Sequence, residues 1–231
     1  MSDRDTKIVF VTGTDTDVGK TVVASLLVYQ LVDEGVDVRP LKPFCSGGRG
    51  DVEALREAAR RRWALDEINP YSFASPLTPA VAAKEEQREI SLSECLGGIK
   101  AAARGCELLL VEGAGGLMSP LGKGYDSLRL IVELGAQPVL VATNRIGVIN
   151  QVLMALSVMG NAGCPPAVTV LSDRGAGDPS VVSNRQVLQE LRPELHFLEL
   201  PHLEKVPPEK GGGEPGAIFL KKALAGLVSR T

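Results

Sequence analysis

"VTGTDTDVGKTVV", residues Val11–Val23, decides how the rest of the chain is read. A strand-like apolar run, Lys7–Thr12, feeds a glycine-bearing loop that ends in Gly19-Lys20-Thr21 and opens an apolar, helix-forming stretch. Strand, glycine loop and helix in that order make a phosphate site, because successive backbone N–H groups and a helix N-terminus converge on one anion. The spacing is unusual. Gly13 and Gly19 enclose five residues, one more than G-x-x-x-x-G-K-[ST] allows, and counting back from Gly19 puts Thr14 where the first glycine normally sits. This alters the entrance of the loop and leaves its phosphate-facing end intact. Lys20 is then placed to reach β/γ oxygens and the Thr21 hydroxyl to ligate Mg²⁺. Asp17, Val18, Gly19 and Val22 complete the expected nucleotide-binding stretch.

Outward from the loop, short apolar runs alternate with helical stretches. Val36–Leu41, Glu107–Val111, Pro138–Thr143, Ala167–Leu171 and His196–Leu200 read as strands, rich in Val and Leu with little polar alternation, as strands covered on both faces are. Between them Thr21–Glu34, Val52–Trp63, Leu92–Arg104, Ser127–Leu134, Ile149–Ala162 and Pro179–Leu191 have helical spacing, and Pro215–Ser229 a final helix after the flexible Pro207–Gly216 tract. The 231 residues suit one domain, and the alternation predicts an α/β P-loop fold: a mostly parallel central sheet with helices on both faces. Ligands of such sheets collect beyond the carboxyl ends of the strands.

Those ends carry the chemistry. The second strand runs into "LKPFCSGGRGD", with Lys42, Ser46 and Asp51; the third ends in "VEGAGGLMSP", with Glu112 at its tip, then Gly113, Ala114 and Gly115. In a parallel sheet these tips meet the phosphate loop on one edge. Asp51 and Glu112 can complete a Mg²⁺ site with Thr21, since Mg²⁺ takes one or two carboxylates plus phosphate oxygens. Lys42 adds a second ammonium near the transferred group.

Composition excludes other classes. A net charge of −3 and 4% aromatic residues argue against nucleic-acid binding. No window approaches the roughly 18 apolar residues of a membrane span, and no secretory h-region follows the charged N-terminus, so a cytoplasmic location is expected. Four cysteines and two histidines lack metal-ligand spacing.

With these segments in view, the sequence resembles the dethiobiotin synthetase family. "GTDTDVGKT" (Gly13–Thr21) is similar to the family's loop, including its longer spacing, and "LKPFCSG" (Leu41–Gly47) to its K-P-x-x-S-G segment. "NPYSFASPLTPAVAAKEE" (Asn69–Glu86), "VEGAGGLMSPL" (Val111–Leu121) and "NRIGVIN" (Asn144–Asn150) resemble three further family segments, in order. The resemblance implies an ATP-dependent cyclo-ligase of biotin biosynthesis. CO₂ carboxylates 7,8-diaminononanoate to a carbamate, ATP converts this to a carbamic-phosphoric anhydride, and the second amine closes the ureido ring. It implies that Lys20 and Lys42 stabilise the anionic intermediates, and that Thr14, Ser46 and Gly115 position the diamine. Gly147, Val148, Ile149 and Asn150 would receive the substrate carboxylate from the other subunit of a homodimer. Pro201, His202 and Leu203 would lie near the base. One position departs: the family's asparagine that reads adenine beside an aspartate is here Ser172 beside Asp173. A hydroxyl cannot offer an amide's paired donor and acceptor. A regulatory or partitioning P-loop ATPase is the alternative, but such loops carry an extra lysine before the invariant one, and here none precedes Lys20 within the loop. A cobyrinate-type amidoligase needs a glutaminase domain for which 231 residues leave no room.

Overall fold

A computed structural model describes residues 6–175 and 177–203; the Pro207–Gly216 tract and the helix expected at Pro215–Ser229 lie outside them. In chain order, β1 (Lys7–Gly13) runs into α1 (Lys20–Asp33), then β2 (Val38–Leu41), β3 (Phe44–Ser46), α2 (Gly50–Ala58), α3 (Leu65–Ile68), β4 (Tyr71–Phe73) and α4 (Pro79–Glu85). Next come α5 (Leu92–Ala103), β5 (Leu108–Glu112), β6 (Pro120–Gly122), β7 (Tyr125–Asp126), α6 (Ser127–Leu134) and β8 (Gln137–Thr143). The remaining elements are α7 (Val148–Asn161), β9 (Val168–Ser172), α8 (Val181–Leu191) and β10 (Phe197–Leu200). Among the described residues no helix is long and apolar enough to cross a membrane.

Six strands form one sheet in the order β10-β9-β8-β1-β5-β2, every pairing parallel. Successive side chains of a strand serve opposite faces, and here both faces are apolar. Phe10, Leu109, Val111, Leu140, Ala142 and Leu171 pack with α5, α6, α7 and α8 in one core. Val9, Val11, Leu110, Val139 and Val141 pack with α1 and α2 in the other. Two-sided burial removes the polar alternation, and burying each large aliphatic side chain contributes roughly 1.5–3 kcal/mol. β1 lies centrally, with β5 on one side and β8 on the other, so the chain reverses its direction of travel across the sheet there. The crevice at such a switch point is where a ligand enters, and the phosphate loop leaves β1 at that point.

Two readings need correction. The helix expected over Val52–Trp63 ends at Ala58, because Arg60 (φ 52°) and Arg61 (φ 56°) adopt the left-handed conformation. Ion pairs Arg60–Asp33, Arg61–Glu57 and Arg62–Asp37 hold that turn, and the Arg39 and Arg62 guanidinium groups lie 4.6 and 5.1 Å from the Trp63 ring centroid. No elements are expected between Trp63 and Leu92, where only Asn69–Glu86 is read, as a motif; the stretch carries α3, β4 and α4, with β4 pairing parallel to β3 in a small second sheet.

Candidate active site

The loop's spacing has a geometric answer. Asp17 sits at φ 54° and Gly19, the N-cap of α1, at φ 101°, so two left-handed residues absorb the additional length and turn backbone N–H groups inward. A β-carbon on Gly13 would meet Val18 Cγ2 at 2.7 Å and Asp15 O at 3.1 Å, so the loop closes only on glycine. Gly13, not Thr14, is the first glycine in function. Lys20 folds back and donates from Nζ to Asp15 O at 2.8 Å. Burial drives its ammonium down from the ordinary lysine range to about 8, with the neighbouring Glu112 opposing that shift and Lys42 adding to it.

Opposite the loop, Lys42 Nζ donates to Glu112 Oε1 at 2.5 Å and pairs with Asp51 Oδ2 at 2.8 Å. The Thr21 hydroxyl donates to the same Glu112 oxygen at 2.7 Å. Three strand tips thus bring two ammonium groups, two carboxylates and a hydroxyl together, and Lys20, Lys42 and Glu112 are buried. Burial alone would lower Lys42, but Glu112 and Asp51 outweigh it and hold the amine cationic, well above the usual lysine range. Burial would likewise raise Asp51, and Lys42 outweighs that, keeping the carboxyl below its usual range. Lys42 and Asp51 are therefore charged at neutral pH.

Several polar atoms here have no partner among the described residues. Glu112 Oε2, Thr14 Oγ1 and Ser46 Oγ are buried without a hydrogen bond. Buried polar atoms left unpaired are costly, so each of these is a candidate contact for a bound group. Thr21 and Lys42 both engage Glu112 Oε1, which leaves the buried Oε2 for a divalent cation. Among the described residues no group of three or more His, Cys, Asp or Glu could hold a metal ion by itself. That fits an ion completing its shell with phosphate oxygens.

The glycines of "EGAGG" pack the β5 tip onto the loop. Gly113 N–H donates to Val11 O and Leu117 N–H to Gly13 O, and a β-carbon on Gly116 would lie 3.1 Å from Thr14 O. Asn69 opens the Asn69–Glu86 segment and has no role legible in the sequence. Its buried amide donates to Lys42 O at 2.8 Å, while Lys42 N–H donates to Ile68 O. Asn69 therefore fixes the backbone from which Lys42 projects. The only available signal was the Asn-Pro pair opening the quoted segment.

On the other flank, Ser172 ends β9 and is buried against the loop: a β-carbon on Gly19 would lie 2.8 Å from Ser172 Oγ. Asp173 N–H donates to Leu200 O, which ties the ends of β9 and β10 and sets Pro201, His202 and Leu203 beside Asp173. Gly147–Asn150 begin α7 at the β8 tip. There Gly147 (φ 88°) is the N-cap, Asn150 is exposed, and its amide donates to Met154 Sδ at 3.5 Å. Among the described residues no hydrogen bond joins them to the Lys42–Glu112 cluster. A second asparagine that the sequence did not flag, Asn184, donates to Asn144 Oδ1 at 2.8 Å and to Arg145 O at 3.3 Å, fixing the entrance of α7.

The chain matches the AAA domain family over residues 7–210. Among solved structures it is similar to the cell division ATPase MinD of Pyrococcus furiosus, with a TM-score of 0.59 and 16% identity, covering 97% of this chain and 99% of that one. A putative plasmid partition protein (BB_S35) from Borrelia burgdorferi B31 gives a TM-score of 0.59 at 9% identity, over 99% of this chain and 100% of that one. Identities so low speak for the fold alone. Sequence relatives discriminate further. The ATP-dependent dethiobiotin synthetase BioD of Anaeromyxobacter dehalogenans (strain 2CP-C) is 40% identical over 187 residues, 79% of this chain and 84% of that protein. That of Anaeromyxobacter sp. (strain Fw109-5) is 34% identical over 224 residues, 95% and 97% of the two chains. The Bacillus subtilis (strain 168) protein is 32% identical over 188 residues, 79% and 81%. With relatives at 32–40% identity over most of its length, and a lengthened phosphate loop facing a buried Lys42–Glu112 pair, the chain belongs to the ATP-dependent dethiobiotin synthetase family.

Proposed function

We propose that the chain carboxylates 7,8-diaminononanoate with CO₂ and closes the ureido ring of dethiobiotin at the expense of ATP, in biotin biosynthesis. The observation that carries this reading is the cluster of buried Lys20, Lys42 and Glu112 with Thr21 and the half-exposed Asp51, beside the Thr14 and Ser46 hydroxyls, which are unpartnered among the described residues. One amine takes up CO₂ and loses a proton, giving a carbamate. A carbamate oxygen attacks the γ-phosphorus and ADP leaves; the second amine then attacks the carbonyl carbon and phosphate leaves. Charge builds on carbamate and phosphoryl oxygens in both displacements, and preorganised cations aimed at them are the largest available aid. Lys42 faces the carbamate and Lys20 the γ-phosphoryl group, while Thr14 and Ser46 donate to the diamine side. Thr21, Asp51 and Glu112 would hold Mg²⁺, which supplies neutralising charge at the β/γ oxygens. Lys42 shares those carboxylates, so its ammonium would stand at the edge of the site that would hold the ion, within reach of substrate. ADP release that requires both diamine and bicarbonate is the expected assay result; release indifferent to both would replace the ligase with a switch ATPase.

Gly147–Asn150 serve, in this reading, the site of a second copy. A helix N-terminus favours a carboxylate, and the exposed Ile146, Met154 and Val182 beside it offer apolar surface for a homodimer. Asn150→Ala should then raise the KM for the diamine and leave that for ATP unchanged. A fully active monomer in sedimentation would sink the composite site.

Base selection should be loose. Ser172 lacks the amide, and its hydroxyl faces Gly19. The contacts of Gly19, Lys20, Thr21, Asp51 and Glu112 are blind to the base. Initial rates with ATP, GTP, CTP and UTP at matched Mg²⁺ should differ by less than about tenfold, one net hydrogen bond's worth. A preference for ATP of about a hundredfold or more would mean that Asp173 or Pro201–Leu203 read adenine without an amide.

A further inference from the structure

We propose that Arg174 is a further nucleotide-holding residue, its guanidinium neutralising the phosphate chain seated on the loop. This rests on the loop's nucleotide reading and adds a contact from a different strand. β9 carries Ser172 under Gly19, and two residues later the chain crosses the rim of the loop. Arg174 Nη1 lies 3.9 Å from the point that a β-carbon on Gly19 would occupy. Gly19 is the N-cap of α1, where the backbone N–H groups of the loop and the positive end of a 14-residue helix invite an anion.

The side chain is exposed, and among the described residues it makes no hydrogen bond or ion pair. Other surface arginines, such as Arg60, Arg62 and Arg192, each hold a carboxylate. The nearest carboxylate in sequence is engaged elsewhere, since Asp173 Oδ1 accepts from Gly175 N–H at 2.8 Å. Backbone anchors stand on both sides of Arg174: Asp173 N–H donates to Leu200 O at 2.8 Å, and Gly175 (φ +71°) leaves a β-carbon position only 3.1 Å from the His202 ring. A guanidinium unpaired among the described residues, on an anchored rim beside the N-terminal end of a helix, matches phosphate, which arginine takes with two parallel N–H donors.

Isothermal titration of the full chain and its Arg174→Gln and Arg174→Lys variants with ATP, GTP and inorganic tripolyphosphate tests this. Arg174→Gln should weaken all three by a similar factor, on the order of tenfold. Arg174→Lys should recover part of the loss, because it keeps the charge without the planar fork. The deficit should narrow as salt rises, since the group is exposed. Unchanged affinity for all three ligands overturns the proposal. So does a loss confined to ATP, which would make Arg174 a reader of adenine. A wild-type chain that binds none of the three would overturn the loop reading itself.

Discussion

Lys42→Gln should lower turnover by on the order of a hundredfold or more while leaving ATP affinity nearly intact. Lys42 projects from the end of β2, buried against Glu112 and paired with Asp51, whereas the loop residues proposed to seat the phosphates stand on the β1–α1 side. An ammonium there contributes mainly where negative charge appears during reaction. Glutamine is one bond shorter and keeps an amide donor, but the formal charge is gone. The two carboxylates then lose their shared cation, and removing one partner of a buried ion pair costs several kcal/mol. Thermal unfolding must therefore accompany the kinetics, with nucleotide present to supply compensating contacts. Turnover that falls in a folded, ATP-binding variant places Lys42 in the chemistry. Near-normal turnover would leave it a structural counter-ion of Glu112 and Asp51.

How legible this site was depended on distance along the chain. Lys20 and Thr21 were readable because a single local pattern, strand then glycines then helix, carries its own geometry. Lys42, Asp51 and Glu112 lie far apart in sequence. They were readable because a parallel sheet brings every carboxyl-terminal tip to one edge, so the alternation of β1, α1, β2 and later elements did the long-range work. What was missed lacks either kind of signal. β3 and β4 are three residues each, too short for a period, and they exist because Asn69 and the β2 exit fix them side by side. The early end of α2 is equally invisible, because Arg60 and Arg61 turn left-handed under ion pairs and Trp63 stacking, with no glycine or proline to announce it. Asn184 and Asn144 find each other across 40 residues, which no spacing rule anticipates. The fold, meanwhile, is shared with cell division and plasmid partition proteins at 9–16% identity, so the sheet could not choose the reaction. The side chains on its edge do that.

Glu112→Gln should raise the Mg²⁺ concentration needed for half-maximal turnover and cut turnover by on the order of a hundredfold at low Mg²⁺, with partial recovery at high Mg²⁺. One carboxylate oxygen, Oε1, is already shared between Lys42 and Thr21, and the other, Oε2, is buried with nothing to accept from. An unpaired anionic oxygen in a desolvated place is stable only if a cation completes it, and Mg²⁺ needs just one or two such ligands beside phosphate. The amide of glutamine is nearly isosteric, so packing at the β5 tip between Val111 and Gly113 is kept. It offers one neutral oxygen in place of two anionic ones, and a divalent ion feels that loss directly. Asp51 and the Thr21 hydroxyl remain, which is why excess metal should recover part of the rate. Lys42, with half of its counter-charge removed, should lose some of the support that keeps its pKa high, so the variant's activity should also fall earlier than wild type as pH rises. The sign follows from the base that Glu112 no longer opposes: an ammonium held cationic by two carboxylates gives up its proton more readily beside one. A Mg²⁺ titration with the wild-type midpoint would remove Glu112 from the metal site and leave it as Lys42's partner alone.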